Sequence, residues 1–354
     1  MGKTNTKKLV KSFANAMLFL LGVALVLVFV NFTGITLSDL LAVLKKVKIY
    51  YFLTILMLVL TVFLLMASKW SLIVSYITDV GSIKRGYFLY YTCLAAVTSS
   101  VYSNLFCNVG VKAASLKIKH RISILDGFYI AVVEHVISFL VVMILLVPSI
   151  CFVVGVLSAS VALLISVAFL LVTYWTFDKY SRFILKSILL FFTLFAKLLN
   201  KISVRVNMPS LSSANIGLID VFSLKKLFAY SFLIYFVFLM QYYVVSVALD
   251  IGISLSSFLI IFPFAYFITV FGITPGNLGL SEFGWYACLS IIGIDKEHIA
   301  MFVLGQRFIY TMAMLIIYCF SAVLYFLPSF HKGSNKTKYM KGIIWNLTGR
   351  PSRY

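Results

Sequence analysis

The feature that most constrains this chain is its succession of long apolar runs. They begin at 13–32 and recur through 299–327, and several exceed the roughly 20 residues needed to cross a bilayer. With 62% hydrophobic and 11% charged residues, a water-soluble domain would have too little polar surface. Backbone polar groups in lipid must be satisfied internally, so such runs fold as helices. The expectation is an all-α polytopic membrane protein with roughly seven to nine membrane segments. A basic N-terminus at 1–12, a transmembrane domain at 13–328 and a basic tail at 329–354 complete the layout. Both ends are expected on the cytoplasmic side of a cell membrane.

The net charge of +20 follows the same logic. Most Lys and Arg flank apolar runs, as the positive-inside rule produces, so anionic lipid headgroups are expected as partners and nucleic acid is not. The five cysteines and four histidines show no ligand spacing or disulfide framework, so no metal or cofactor is expected. Motifs for nucleotide binding, serine hydrolysis or zinc hydrolysis are missing.

One interruption is chemically informative. Gly272-Ile273-Thr274-Pro275-Gly276-Asn277-Leu278-Gly279-Leu280-Ser281-Glu282 separates two uncharged apolar runs. Pro275 lacks an N–H and holds Thr274 extended, so no helix should run through. Irregular backbone at membrane depth survives only where protein or a water-filled cavity covers it. Ser281 is the expected N-cap of a helix restarting at Glu282, whose free N–H groups would favour a phosphate or carboxylate. Glu282 would repel such an anion unless a cation stands nearby, and Arg307 is the candidate. The competing reading is a Pro-Gly loop between two ordinary spans.

A second interruption is expected around 104–110, within an apolar segment at 87–109 softened by Thr, Ser and Asn. The basic stretch at 112–121 follows it, so this segment should enter and leave on one side. Paired interrupted segments in two halves give a faint two-fold echo and point to a transport site between them.

Three ionisable residues fall well inside apolar segments: Glu134, Glu282 and Arg307. Each costs at least about 2.5 kcal/mol at mid-span, so they should face the bundle interior and pair. They form either the walls of a polar path or a Glu–Arg bridge that fixes helix register. Asp126 and Asp250, near span ends, are expected to be solvated. Pro148 is expected to end the span that carries Glu134, and 184–199 is too short for a confident span.

The sequence Pro275-Gly276-Asn277-Leu278-Gly279-Leu280-Ser281-Glu282, with Gln306-Arg307 further on, resembles the C-terminal signature of the lysylphosphatidylglycerol synthase transmembrane family. That family includes the flippase-like membrane half of the bacterial multiple peptide resistance factor. Its usual pattern is Pro-Gly-Gly-Leu-Gly, a gap, Glu, and a later Arg; here Asn277 replaces the second Gly. The stretch from Asn104 through Asn108 and Gly110 to Glu134 is similar to the family's N-terminal pattern. There Phe106-Cys107 replaces a Pro-Gly, Lys112 stands where an Arg is usual, and His135 replaces the Arg after the Glu.

The resemblance implies a stand-alone flippase-like fold with re-entrant segments and no aminoacyltransferase domain. It implies a substrate site drawn from Pro275, Gly276, Asn277, Gly279, Ser281, Glu282, Arg307, Glu134, Asn108 and Gly110. The expected substrate is a phospholipid or lipid-linked saccharide. A membrane glycosyltransferase or accessory subunit of surface-glycan assembly, and a non-catalytic scaffold, are the alternatives. Enzymatic activity is not the favoured reading, and homo-oligomerisation is left open.

Overall fold

The computed structural model describes residues 38, 45, 47–78, 83–102, 104–201, 221–270, 274 and 277–326. The expected first span at 13–32, the polar loop at 207–220, both basic termini, Pro275 and Gly276 lie outside the described residues. Within them the chain is all-helical. The helices are α1 (Ile49–Ile77), α2 (Arg85–Val101), α3 (Asn104–His120), α4 (Ile124–Val153), α5 (Ala159–Lys201), α6 (Val221–Ala248), α7 (Leu255–Val270), α8 (Leu280–Ile291) and α9 (Lys296–Phe326).

Five of these, α1, α4, α5, α6 and α9, are long and apolar enough to cross a membrane. The other four are short. At about 1.5 Å per residue, α2 and α3 reach roughly 26 Å, α7 about 24 Å and α8 about 18 Å. They form two helical hairpins. In the first, the Tyr87 hydroxyl near the start of α2 donates to Ser115 Oγ near the end of α3, at 2.8 Å, so the two helices run antiparallel. In the second, α8 packs back along α7, with Gly284 against the Ile268 side chain.

Contacts between helix ends fix the direction of each hairpin. Tyr90 of α2 stacks on Tyr325 at the end of α9, with centroids 4.7 Å apart. Phe228 near the start of α6 packs on Phe177 of α5 at 5.0 Å. One face of the bundle therefore gathers Lys84, Arg85, Lys117, Lys119, Arg121, Lys225 and Lys226. At the other face α1 begins and α6 ends, with Tyr51 in the electrostatic reach of Asp250. There Leu249, just after α6, also packs on Gly305 of α9. The α2–α3 hairpin opens on the basic face, and the α7–α8 hairpin opens on the other. Their tips point inward, Ser100 of α2 reaching Met314 of α9 and Phe267 of α7 stacking on Phe139 of α4.

The buried core is a large apolar cluster with α4 at its centre, packed on α1, α3, α5, α6 and α7, and a small second cluster of Val62, Ile234 and Val237 lies between α1 and α6. Close approach of α3 and α4 requires a missing side chain. A Cβ on Gly127 would lie 2.9 Å from Ala113 Cα. Small residues allow such backbone approach where lipid offers no hydrophobic drive between helices.

Several expectations are corrected. The helix that begins at Arg85 ends with Tyr102 as its C-cap, and 104–110 is helical, as the first turns of α3. Pro148 does not end its span. It is buried inside α4, which continues to Val153. Proline costs one backbone hydrogen bond, and membrane helices tolerate this when neighbours surround them. The turn falls instead at Gly155, with φ of 80°. The backbone of α5 continues through 184–199 to Lys201. Asp126 is buried in the first turn of α4, where its N–H donates to the capping Ser123 Oγ at 3.1 Å.

Candidate functional site

The structure resolves the buried charges into two separate groups, one beside each hairpin. Next to the first, Lys112 of α3 donates from Nζ to both carboxylate oxygens of Glu134 of α4, at 2.8 and 2.7 Å. Lys112 and Glu134 are both buried, their side chains 0% and 5% exposed. Lys112 Nζ also lies 5.4 Å from the Trp70 ring centroid, a cation–π distance. A second lysine joins them from α1. Lys69 Nζ donates to the Glu134 backbone carbonyl and to Ser138 Oγ, both at 2.7 Å. His135, the neighbour of Glu134, keeps Nε2 buried without a hydrogen-bond partner.

This group corrects the expected pairing. Glu134 meets two lysines, while Arg307 belongs to the other hairpin. Lys112 is not in a solvated basic loop but buried within α3. Lys69 is interior to α1, which runs eight residues beyond it to Ile77. Asn108 is one turn before Lys112 and buried, and Gly110 has open space where a Cβ would sit. Neither lies at the hairpin tip.

The second group is built by the break itself. Gly279 has φ of 83° and caps α8. Its N–H donates to Glu282 Oε2 at 2.7 Å, so Glu282, in the third helical position, reaches back over the helix start. Ser281 is therefore inside the helix and not its N-cap; its N–H donates to the Asn277 carbonyl at 3.1 Å. Asn277 adopts φ of 58°, a left-handed conformation that asparagine tolerates better than most side chains. Where the expected pattern has glycine, asparagine meets the same backbone demand.

Arg307 of α9 completes the group. Its Nη2 lies 2.8 Å from Glu282 Oε1. Glu282 is wholly buried, but the Arg307 side chain is 29% exposed. Tyr242 of α6 lies within electrostatic reach of both and within reach of Gln306. Its ring stacks on Trp285 of α8 at 5.2 Å. In the break, Thr274 is buried and its hydroxyl has no partner among the described residues. The family model described as Lysylphosphatidylglycerol synthase TM region matches residues 17–317.

The chain belongs to this family.

No curated protein and no solved structure matches it. Family membership makes it a multi-pass membrane protein related to lipid modification or translocation. In this member of the lysylphosphatidylglycerol synthase transmembrane family, Lys112 pairs with Glu134. The structure thus brings Asn277, Gly279, Ser281, Glu282 and Arg307 together at one break. Beside the other hairpin it pairs Glu134 with Lys112, and Asn108 lies one turn before Lys112 on α3. Sequence reasoning missed Lys69 and Tyr242. Apolar residues at 72–74 and 77 continue past Lys69 and mark it as interior. No local pattern singles out Tyr242 among the chain's 21 tyrosines.

Proposed function

We propose that this protein translocates a lipid with an anionic headgroup, a phospholipid or a lipid-linked glycan, between the leaflets of a bacterial inner membrane. The observation that carries this reading is the asymmetry of the Glu282–Arg307 pair. Glu282 is sealed and already satisfies the start of α8, so backbone N–H groups there are not the anion site. Arg307 is anchored through Nη2 and partly exposed, and a guanidinium has five N–H donors in a fork that suits phosphate. Glu282 orients the guanidinium, and the headgroup phosphate takes the remaining donors. Thr274, with its unpartnered hydroxyl, lies in the same break.

The two hairpins support an alternating path. Each is too short to cross a bilayer as a pair of full spans, and they open on opposite faces of the bundle. In this reading they are re-entrant, the α2–α3 hairpin from the cytoplasmic, basic face and the α7–α8 hairpin from outside. The basic face rests against anionic phospholipid. The full burial of Lys112 and Glu134 makes that pair a clamp between α3 and α4 and not a headgroup contact.

The test is leaflet exchange in proteoliposomes, with fluorescent phospholipids and fluorescent lipid-linked sugars. Exchange above protein-free vesicles is expected for the wild type and is abolished by Arg307→Ala with folding intact. Arg307→Lys keeps the charge but loses the fork, and its rate is expected to fall at least tenfold. Exchange that survives Arg307→Ala contradicts the reading. No exchange with any lipid directs attention to glycan transfer.

A further inference from the structure

A stripe of polar side chains runs along α9 from the Arg307 site to the basic face. Arg307, Tyr310, Met314, Tyr318, Ser321 and Tyr325 follow one another at steps of three and four residues, so they share one side of the helix. Other sides of α9 are apolar and exposed, as at Leu315 and Phe320, and suit lipid. The polar stripe faces α2 instead. Ser100, near the inner end of α2, donates to Met314 Sδ at 3.9 Å. Ser321 lies within hydrogen-bonding reach of Cys93, Tyr318 of Tyr90, and Tyr325 of Tyr91. The Tyr90 ring stacks on Tyr325 at 4.7 Å and on Tyr318 at 6.0 Å. Deeper in the bundle, Tyr310 is in electrostatic reach of Cys93 and Tyr242, and Tyr242 in that of Arg307. Polar groups therefore connect Arg307 to the basic face, where α2 starts at Arg85.

An interfacial aromatic belt does not account for this stripe. Belt tyrosines sit at headgroup level. At about 1.5 Å per residue, Tyr318 lies about 12 Å and Tyr310 about 24 Å from the basic end of α9. Nor is the stripe sealed along its length. Gln306, Ala313 and Ile317 flank Tyr310 on the core side of α9 and are buried, yet Tyr310 is only half-buried. Tyr235, Leu239 and Ser246 share one side of α6 with Tyr242 and are buried, yet Tyr242 is half-buried. Rings on core-facing sides that keep open surface mark an opening inside the bundle beside Arg307. At the basic end, Tyr90, Tyr91, Tyr318 and Tyr325 are again half-buried. Between the two open stretches, Cys93 and Ser321 are 0% and 2% exposed, so the seam is closed at that level alone.

We propose that the seam between α2 and α9 is the path by which an anionic lipid headgroup passes between the Arg307 site and the basic face, its acyl chains staying in the surrounding lipid. The path rests on the lipid-translocation reading and names the route that reading requires. A charged group is costly inside a bilayer unless polar partners replace its water. Tyrosine and serine hydroxyls do this for a headgroup, donating to phosphate oxygens and accepting from headgroup hydroxyls. The sequence of α2 has no carboxylate, and α9 has only Glu297, in its first turn at the far face, so no carboxylate on either helix repels phosphate along the seam. Cations stand at both ends, Arg307 within and Arg85 at the basic face. This structure holds the path closed at Cys93 and Ser321, and passage requires α2 to part from α9 there.

The direct test maps where headgroups go, using the wild type. The protein is placed in phosphatidylcholine vesicles containing a phosphatidylalkanol whose short alcohol carries a diazirine, illuminated, digested and read by mass spectrometry. Adducts are expected on Tyr310, Cys93 and Tyr318, and not on the lipid-facing Leu315, which lies at a similar depth. No adduct between Tyr310 and Tyr325, or adducts on Leu315 as abundant as those in the seam, overturn the path.

The second readout is leaflet exchange in the double variant Tyr91→Cys, Tyr325→Cys, joined by a short bis-methanethiosulfonate; the two rings lie 6.0 Å apart in the wild type. Joining is expected to slow exchange at least tenfold, with recovery on reduction, while each single variant treated alike keeps its rate. Unchanged exchange in the joined protein overturns the path and leaves the translocation reading standing. Absence of exchange in the wild type sinks the translocation reading, while the adduct map still decides whether headgroups enter the seam.

Discussion

The two hairpins solve the same problem in opposite ways. Each brings charge to the interior and each pairs it across helices. Beside α2–α3 the pair is closed: Lys112 and Glu134 are both buried, and α3 approaches α4 so tightly that Gly127 cannot carry a side chain. Beside α7–α8 the pair is open on one side, because the Arg307 side chain is partly exposed while Glu282 is sealed. A closed pair holds helices in register, and its cost is desolvation with no free donor to offer a ligand. A half-open pair keeps a cation aimed and available. The difference teaches that an intramembrane ion pair is a binding candidate only where one partner retains unsatisfied donors.

The comparison can be broken most forcefully at Glu134. Glu134→Ala leaves Lys112 buried and unpaired beside Lys69, and about 3–5 kcal/mol of stability is expected to be lost. The check is yield of monodisperse protein and melting temperature, with the double variant Lys112→Met, Glu134→Gln recovering most of the loss. Full stability of Glu134→Ala would remove the clamp. Next comes Gly127→Leu, which overpacks the α3–α4 contact and is expected to cost about 1–3 kcal/mol, read from the same melts. A cost near zero would show that the two helices can separate.

At the open hairpin the expected stability effects are smaller. Gly279→Ala places a side chain at φ of 83°, outside the region L-residues favour, and should lower stability by about 1–2 kcal/mol. Glu282→Gln keeps an acceptor for the Gly279 N–H but releases the guanidinium. Its melting temperature is expected to move by a few degrees while leaflet exchange falls at least tenfold. Equal losses of stability and exchange in Glu282→Gln would make the second pair as structural as the first.

Much of this was legible in the sequence, for identifiable reasons. The apolar runs announced the helices, since lipid leaves the backbone no other open-chain solution. Pro275 and its glycines announced the second break, and Arg307 stood out as the cation able to accompany Glu282. Other residues were obscured by rules that hold on average. Pro148 read as a stop, but a buried membrane helix absorbs the missing hydrogen bond. Lys69 and Lys112 read as flanking charges, because lysines beside apolar runs usually set topology. Their true role depends on Glu134, which is 65 and 22 residues away, a relation that no local pattern encodes. The first break was misplaced because its small polar residues continue into α3, and nothing like Pro275 marks the end of α2 at Tyr102.

The measurement that tests the central contrast most directly is leaflet exchange of a fluorescent anionic phospholipid by two variants with measured, intact folding. One is Arg307→Ala; the other is the double variant Lys112→Met, Glu134→Gln, without an imposed gradient. The account expects Arg307→Ala to fall to the protein-free rate and the double variant to keep most of the wild-type rate. The reverse pattern, with exchange retained without Arg307 and lost without the Lys112–Glu134 pair, would contradict it.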